Sequence, residues 1–297
     1  MPPTHGQIPK PVLTDSGLSR FDVSYLIEGG FRPLELELYV PKTEAPAPVI
    51  VWIHGGGYVG GSRKEEAPWI EKSEYVDKAI KRGFAIARID YRLGFEQSFP
   101  AAVNDAHAAI RWLAKFADDL NLDSSRIFLW GSSAGAHLAG LVANTFGDPF
   151  FEGESGAEKI PNLKVSGFVN WYGATELTTI VRPMDGTDES VPELFRYPPE
   201  YFNLGSMRWK DRAWLDKASP VNYITENSPP TLVVHGDADT MVPIQQAHVL
   251  LEKLEKYGVH HAFVIVQGGN HAWMGLPQEQ IDQLVEQALD FMEQCPR

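Results

Sequence analysis

Five residues, Gly131-Ser132-Ser133-Ala134-Gly135, put a serine pair between glycines. The apolar run RIFLW precedes them and the small-residue run AGAHLAGLVA overlaps and follows them. A G-x-S-x-G turn between a strand and a helix is a strained corner that pushes the hydroxyl of its middle residue outward. Its neighbours must be small, and Gly131, Ala134 and Gly135 are. Ser133 is therefore the candidate nucleophile. Ser132 fills the variable position and reads as structural. An inert turn serine is the competing reading, and the rest of the chain decides between them.

A serine hydroxyl needs a base. Of the nine histidines, His271 follows the strand-like run FVIVQGGN and stands late in the chain, where the order serine, acid, histidine requires it. His271 is the candidate base. His137 lies on the helix body four residues past Ser133 and reads as a core residue. His235 ends an apolar run, His107 and His248 fall within helical stretches, and His260 and His261 open a strand. The loop HGDADTMVP offers two carboxylates. Asp237 sits in the tight turn, where a side chain bonds local N–H groups. Asp239 lies further into the loop and is taken as the acid that fixes the imidazole tautomer and stabilises the imidazolium.

A tetrahedral intermediate also needs an anion trap. The run HGGG brings Gly56 and Gly57, whose backbone can approach a substrate without Cβ clashes. The Ala134 N–H, at the head of the following helix, completes the expected oxyanion hole. Each such donor is worth about 3 kcal/mol in the transition state. A phosphate cradle is the weaker reading, because the Lys and Ser/Thr of a P-loop are missing. Tyr58, Tyr172 and Trp273 flank these loops and are expected to line an apolar pocket. Plain core packing is the competing reading for all three.

These residues must be positioned by strands and helices. RFDVSYLIEG and PLELELYV alternate apolar and polar residues about GGFRP, which predicts an antiparallel hairpin. PVIVWIHGGG, the expected third strand, is a continuous apolar run suited to burial on both faces. FAIARIDYRL, RIFLWGS, KVSGFVNWYG, PTLVVHGDAD and HAFVIVQGG repeat that form. Helical spacing runs through FPAAVNDAHAAIRWLAKFADDL, VPIQQAHVLLEKLEKYG (capped by Gly258) and QEQIDQLVEQALDFMEQ. Alternating strand and helix predicts an α/β class with a mostly parallel sheet covered on both faces. Residues 1–297 read as a single domain. Residues up to about Ser19 read as an extended arm. From about 175 to 217 no period holds, and Phe195, Tyr197, Tyr201, Phe202, Trp209 and Trp214 accumulate. That segment is expected to be a small cap insertion over the C-terminal edge of the sheet.

The formal net charge of -13 makes nucleic acid and anionic membrane surfaces poor partners and leaves a small neutral substrate open. The sequence sets no oligomeric state. The one cysteine, Cys295, permits no intramolecular disulfide and no Cys-based zinc site. With no apolar leader and no membrane-length run, a cytoplasmic location is the expectation.

The stretches VIVWIHGGGYVGGS, FPAAVNDAHAAIRWL, DSSRIFLWGSSAGAHLAG, PPTLVVHGDADTMVP and GGNHAWMG resemble the HGGG-bearing α/β-hydrolase esterases. These comprise the hormone-sensitive-lipase-like carboxylesterases and the bacterial feruloyl and acetyl-xylan esterase type. The likeness spans about residues 48 to 275. It implies the α/β-hydrolase fold, ester hydrolysis through an acyl-enzyme and no cofactor or metal. The nucleophile falls on Ser133, the acid on Asp239, the base on His271 and the oxyanion glycines on Gly56 and Gly57. The lipase-like branch usually has Asp before the nucleophile, where this chain has Ser132, and a larger N-terminal cap, which the hairpin replaces. The smaller-capped branch fits better. A serine carboxylic ester hydrolase for a small to medium, apolar or aromatic ester is expected. The alternatives are an aryl-formamidase-like amidase with the same residues, and a non-catalytic ligand receptor on a hydrolase fold.

Overall fold

The computed structural model describes residues 7–14, 18–27, 30–151, 160, 163–180 and 198–296. Among them one sheet is built from β1 (Val12–Leu13), β2 (Ser19–Leu26), β3 (Leu34–Val40), β4 (Ala47–Ile53), β5 (Ala85–Ile89), β6 (Leu122–Ser132), β7 (Val165–Trp171), β8 (Thr231–Gly236) and β9 (His261–Val266). Their spatial order is β1-β2-β3-β5-β4-β6-β7-β8-β9. The β2–β3 hairpin is antiparallel, as its alternation predicts, and joins β5 antiparallel. From β5 onward every pairing is parallel. HGGG thus follows the fourth strand, not the third. The extra strand is β1, inside the expected arm, held by backbone pairing to Arg20 and Ser19. Two residues on an exposed edge leave no periodic pattern to read.

The helices are α1 (Pro68–Glu71), α2 (Tyr75–Lys81), α3 (Ala101–Lys115), α4 (Ala134–Asn144), α5 (Pro199–Leu204), α6 (Arg212–Lys217), α7 (Gln245–Lys256) and α8 (Gln278–Gln294). Successive strand residues point to opposite faces, which divides the core in two. Val49, Val51 and Ile53 of β4 pack with Val103, Ala106 and Leu138 of α3 and α4. Ile50 and Trp52 pack with Tyr75 of α2 and Leu284 and Val285 of α8. On that second face Trp52, Trp130, Trp171 and Trp273 form a row of indoles with successive centroids 5.1, 4.9 and 5.7 Å apart. Gly258 takes φ +67° just past α7, the left-handed turn expected of a C-terminal cap.

Residues 181–197 of the expected cap, with Phe195 and Tyr197, lie outside the described residues. The described part carries α5 and α6. The Asn203 carbonyl accepts the Phe99 N–H, and Phe202 meets Phe95 ring to ring at 5.1 Å. No helix among the described residues is long and apolar enough to cross a membrane.

Candidate active site

The corner between β6 and α4 is built by exclusion. Ser133 has φ +51° and ψ −119°, a conformation that costs a residue with a Cβ about 1–3 kcal/mol. Packing offsets that cost. A Cβ on Gly131 would run into the backbone of Gly135 and Ala136, and one on Gly135 into the carbonyls of Ile53 and His54. The two glycines of the pentapeptide let β4, β6 and α4 close together. The Ser133 N–H donates to the Trp171 carbonyl at 2.9 Å, which ties the corner to β7.

Three side chains from three loops then meet. Ser133 Oγ lies 2.8 Å from His271 Nε2, and His271 Nδ1 lies 2.8 Å from Asp239 Oδ2. Asp239 Oδ1 accepts the N–H groups of Met241 and Val242, each at 2.8 Å. With its acceptors committed in this way, the carboxylate takes Nδ1–H, which leaves Nε2 to accept from the serine. Burial opposes ionisation of Asp239. The hydrogen bond and charge of His271 and the two backbone donors outweigh it, so its carboxyl is held below the ordinary value. The Asp239 and His271 side chains are buried, while Ser133 is partly open.

Asp237 points elsewhere. Its Oδ1 accepts the Gly268 N–H at 2.6 Å, from the loop that carries His271. The local bond expected of it is replaced by a stitch between loops. Sequence reasoning missed a second stitch. Asn270 Oδ1 accepts the His271 N–H at 2.7 Å and the Thr240 N–H at 3.2 Å, so one amide oxygen joins the base loop to the acid loop. His235 is fully buried with Nε2 at 2.8 Å from the Val242 carbonyl, and burial pushes its pKa down. His137 is likewise internal, with Nε2 bonded to the Ala218 carbonyl at 2.6 Å.

The HGGG loop bends through Gly56 at φ +108° and Gly57 at φ +60°. His54 braces it: its ring stacks on Tyr91 at 4.3 Å, and the Tyr91 hydroxyl donates to the His54 carbonyl at 2.9 Å. Among the described residues the N–H groups of Gly56, Gly57 and Ala134 have no protein acceptor. The pocket expected of the three aromatics is not formed by their exposed faces. Trp273 is 0% and Tyr172 1% exposed. Trp273 packs in the indole row, and Tyr172 lies edge-on against His271 at 5.0 Å and against Trp273 at 4.5 Å. Tyr58 is buried edge-on to His137 at 5.5 Å. Packing is what these rings do. Phe95 is 64% exposed and meets the half-buried Phe202 of α5 at 5.1 Å.

The model of the BD-FAE family matches residues 36–254, about three quarters of the chain. The chain belongs to the BD-FAE family. This BD-FAE chain is 38% identical over 250 residues to "Probable carboxylesterase 6" of Arabidopsis thaliana, covering 77% of itself and 70% of that protein. It is 30% identical over 236 residues to "Esterase LipC" of Mycobacterium tuberculosis, covering 75% of itself and 55% of LipC. It spans about half the length of that relative and of "Esterase LipQ". Among solved structures, a "Truncated form of carbohydrate esterase from gut microbiota" superposes with a TM-score of 0.75 at 25% identity, over 92% of this chain and 95% of that one. The fold of this BD-FAE member is the α/β-hydrolase fold.

Proposed function

We propose that the chain is a serine carboxylic ester hydrolase with Ser133 as nucleophile, His271 as base and Asp239 as orienting acid. The observation that carries this reading is the unbroken pair of 2.8 Å hydrogen bonds from Ser133 Oγ through the imidazole to Asp239. Its esterase relatives support the same reaction class. Ser133 Oγ bonds to the ester carbonyl carbon as its proton passes to His271 Nε2. The carbonyl oxygen becomes an anion facing the Gly56, Gly57 and Ala134 N–H groups, at the head of α4 where the helix dipole favours negative charge. Collapse breaks the bond to the alcohol oxygen, which takes the proton from Nε2. Water then attacks the acyl-serine by the same route and releases the acid.

The substrate fitted to this site is a small-molecule ester with an uncharged or aromatic part. Pro199, at the start of α5, lies about 3.8 Å from where a Gly57 side chain would begin, and Phe202 and Phe95 continue that rim. Such apolar walls favour neutral acyl or alcohol groups. The test is a panel of p-nitrophenyl esters varying acyl length and aromaticity, with an acetylated sugar and N-formylaniline beside phenyl acetate, and Ser133→Ala as the blank. Turnover of esters by wild type and none by the blank is expected. Equal rates in both would overturn the assignment, and a preference for N-formylaniline would replace esterase by amidase.

A further inference from the structure

One half-buried carboxylate beside the nucleophile has no part in this chemistry. Glu66 follows the glycine loop and turns back toward β4 and β6. Its Oε1 accepts the Ala67 N–H at 3.1 Å, and its Oε2 accepts Trp52 Nε1–H at 3.1 Å. The Ser132 hydroxyl donates to the same Oε2 at 3.4 Å. All three partners are donors, so an acceptor-only carboxylate fits where an amide would place its NH₂ against an N–H or O–H. Burying a carboxylate is costly without such partners. The Tyr172 ring lies edge-on to His271 at 5.0 Å.

The two loops joined in this way are in close contact. A Cβ on Gly55, beside the oxyanion glycines, would come within 3.0–3.3 Å of Ser132 O, Ser132 Oγ and Ser133 Cβ. Trp52 lies two residues before His54 on the strand that delivers the glycine loop, and Ser132 directly precedes the nucleophile. One carboxylate therefore holds the strand under the anion trap and the residue beside the serine.

We infer that Glu66 is a positioning residue for the proposed ester hydrolysis, acting through Trp52 and Ser132 to set the distance between the Ser133 hydroxyl and the oxyanion N–H groups. The inference rests on the esterase reading above. It also gives Ser132 a role, because its hydroxyl is the link between Glu66 and the residue beside it, Ser133.

The test compares Glu66→Gln, Ser132→Ala and Trp52→Phe in kcat, KM and thermal midpoint on a p-nitrophenyl ester. Because displacements near 1 Å are costly in such sites, each variant should lose about tenfold or more in kcat with KM unchanged and the fold intact. Links in one chain should be non-additive, so Glu66→Gln with Ser132→Ala should be hardly worse than either alone. Placing the carboxylate on the other partner, Glu66→Gln with Ser132→Asp, should recover kcat. The inference is overturned by near-wild-type kcat in Ser132→Ala and Trp52→Phe, by additive losses, or by losses that follow the unfolded fraction. If Glu66→Gln does not fold, the other two single variants decide by the same criteria. Fluorophosphonate labelling separates the failures. A wild type that neither labels nor turns over removes the esterase reading and this inference with it. A wild type that does both, beside a fully active Glu66→Gln, removes this inference alone.

Discussion

The corner that holds Ser133 and the loop that holds Asp239 are built on opposite principles. At Ser133 the backbone is strained, and it is fixed because neighbouring backbone leaves no room for anything but Gly131 and Gly135. At Asp239 the carboxylate is fixed by polar bonds, two from its own loop and one from His271. A site fixed by volume fails as a fold when altered. A site fixed by hydrogen bonds can lose one bond, keep its fold and lose its chemistry.

Five substitutions follow from this contrast. Removing the hydroxyl alone, Ser133→Ala, should cut kcat by about 10⁵-fold or more without lowering the thermal midpoint; a midpoint that drops sharply would mean the hydroxyl, and not the volume around it, holds the corner. Asp239→Asn keeps the shape and loses the charge, so kcat should fall about 10³- to 10⁴-fold with the fold intact, as steady-state kinetics and circular dichroism would show. Gly135→Ala should do the reverse, costing about 3 kcal/mol or more of stability in a denaturant titration; a stable variant would show that the corner has slack.

The buried imidazoles extend the contrast to pH. Burial pushes His54 and His137 down to about 4 from 6.5. Their folded pKa values lie below the unfolded ones, so the unfolded chain takes up protons first as pH falls. Stability is full at pH 7 and is lost progressively from about 6.5 to about 4, by about 3 kcal/mol per histidine, then levels off. Urea titrations across that range should show the slope, and His137→Gln should flatten it in part, since His54 and His235 still contribute with the same sign. The smallest effect is expected from Asp237→Asn, which keeps the oxygen that accepts the Gly268 N–H. Its kcat should stay near wild type, and a loss matching that of Asp239→Asn would exchange the two roles.

Much of this arrangement was legible because strand patterns and loop order carry it. The hairpin was visible in the alternation of SRFDVSYL and LELELYV, and the parallel strands in their apolar runs. Ser133, Asp239 and His271 were visible because each follows such a run. The supporting residues were not. Glu65 is exposed and Glu66 is half-buried against Trp52 and Ser132, yet the two are the same letter in one polar stretch, with no period to separate them. Asn270 looks like any loop asparagine until the Thr240 N–H is seen on its oxygen. Trp273 was misread because loop position says nothing of facing: Ala272 and Trp273 take φ +56° and +61°, and the indole ends in the core. Local pattern reports burial along regular elements, and a loop has no regular face to report.

The interval between serine and imidazole has a consequence for how the protein comes into being. The hydroxyl and the glycine amides leave the ribosome early, whereas the imidazole follows 138 residues later. It reaches its place only when β9 has zipped onto β8 and α8 has settled over Trp273 and its neighbours. The proposed site is therefore complete only after this segment has folded. On the proposed reading, a protease-clipped molecule that lacks this segment has no base for Ser133, and turnover would report whether the segment is seated.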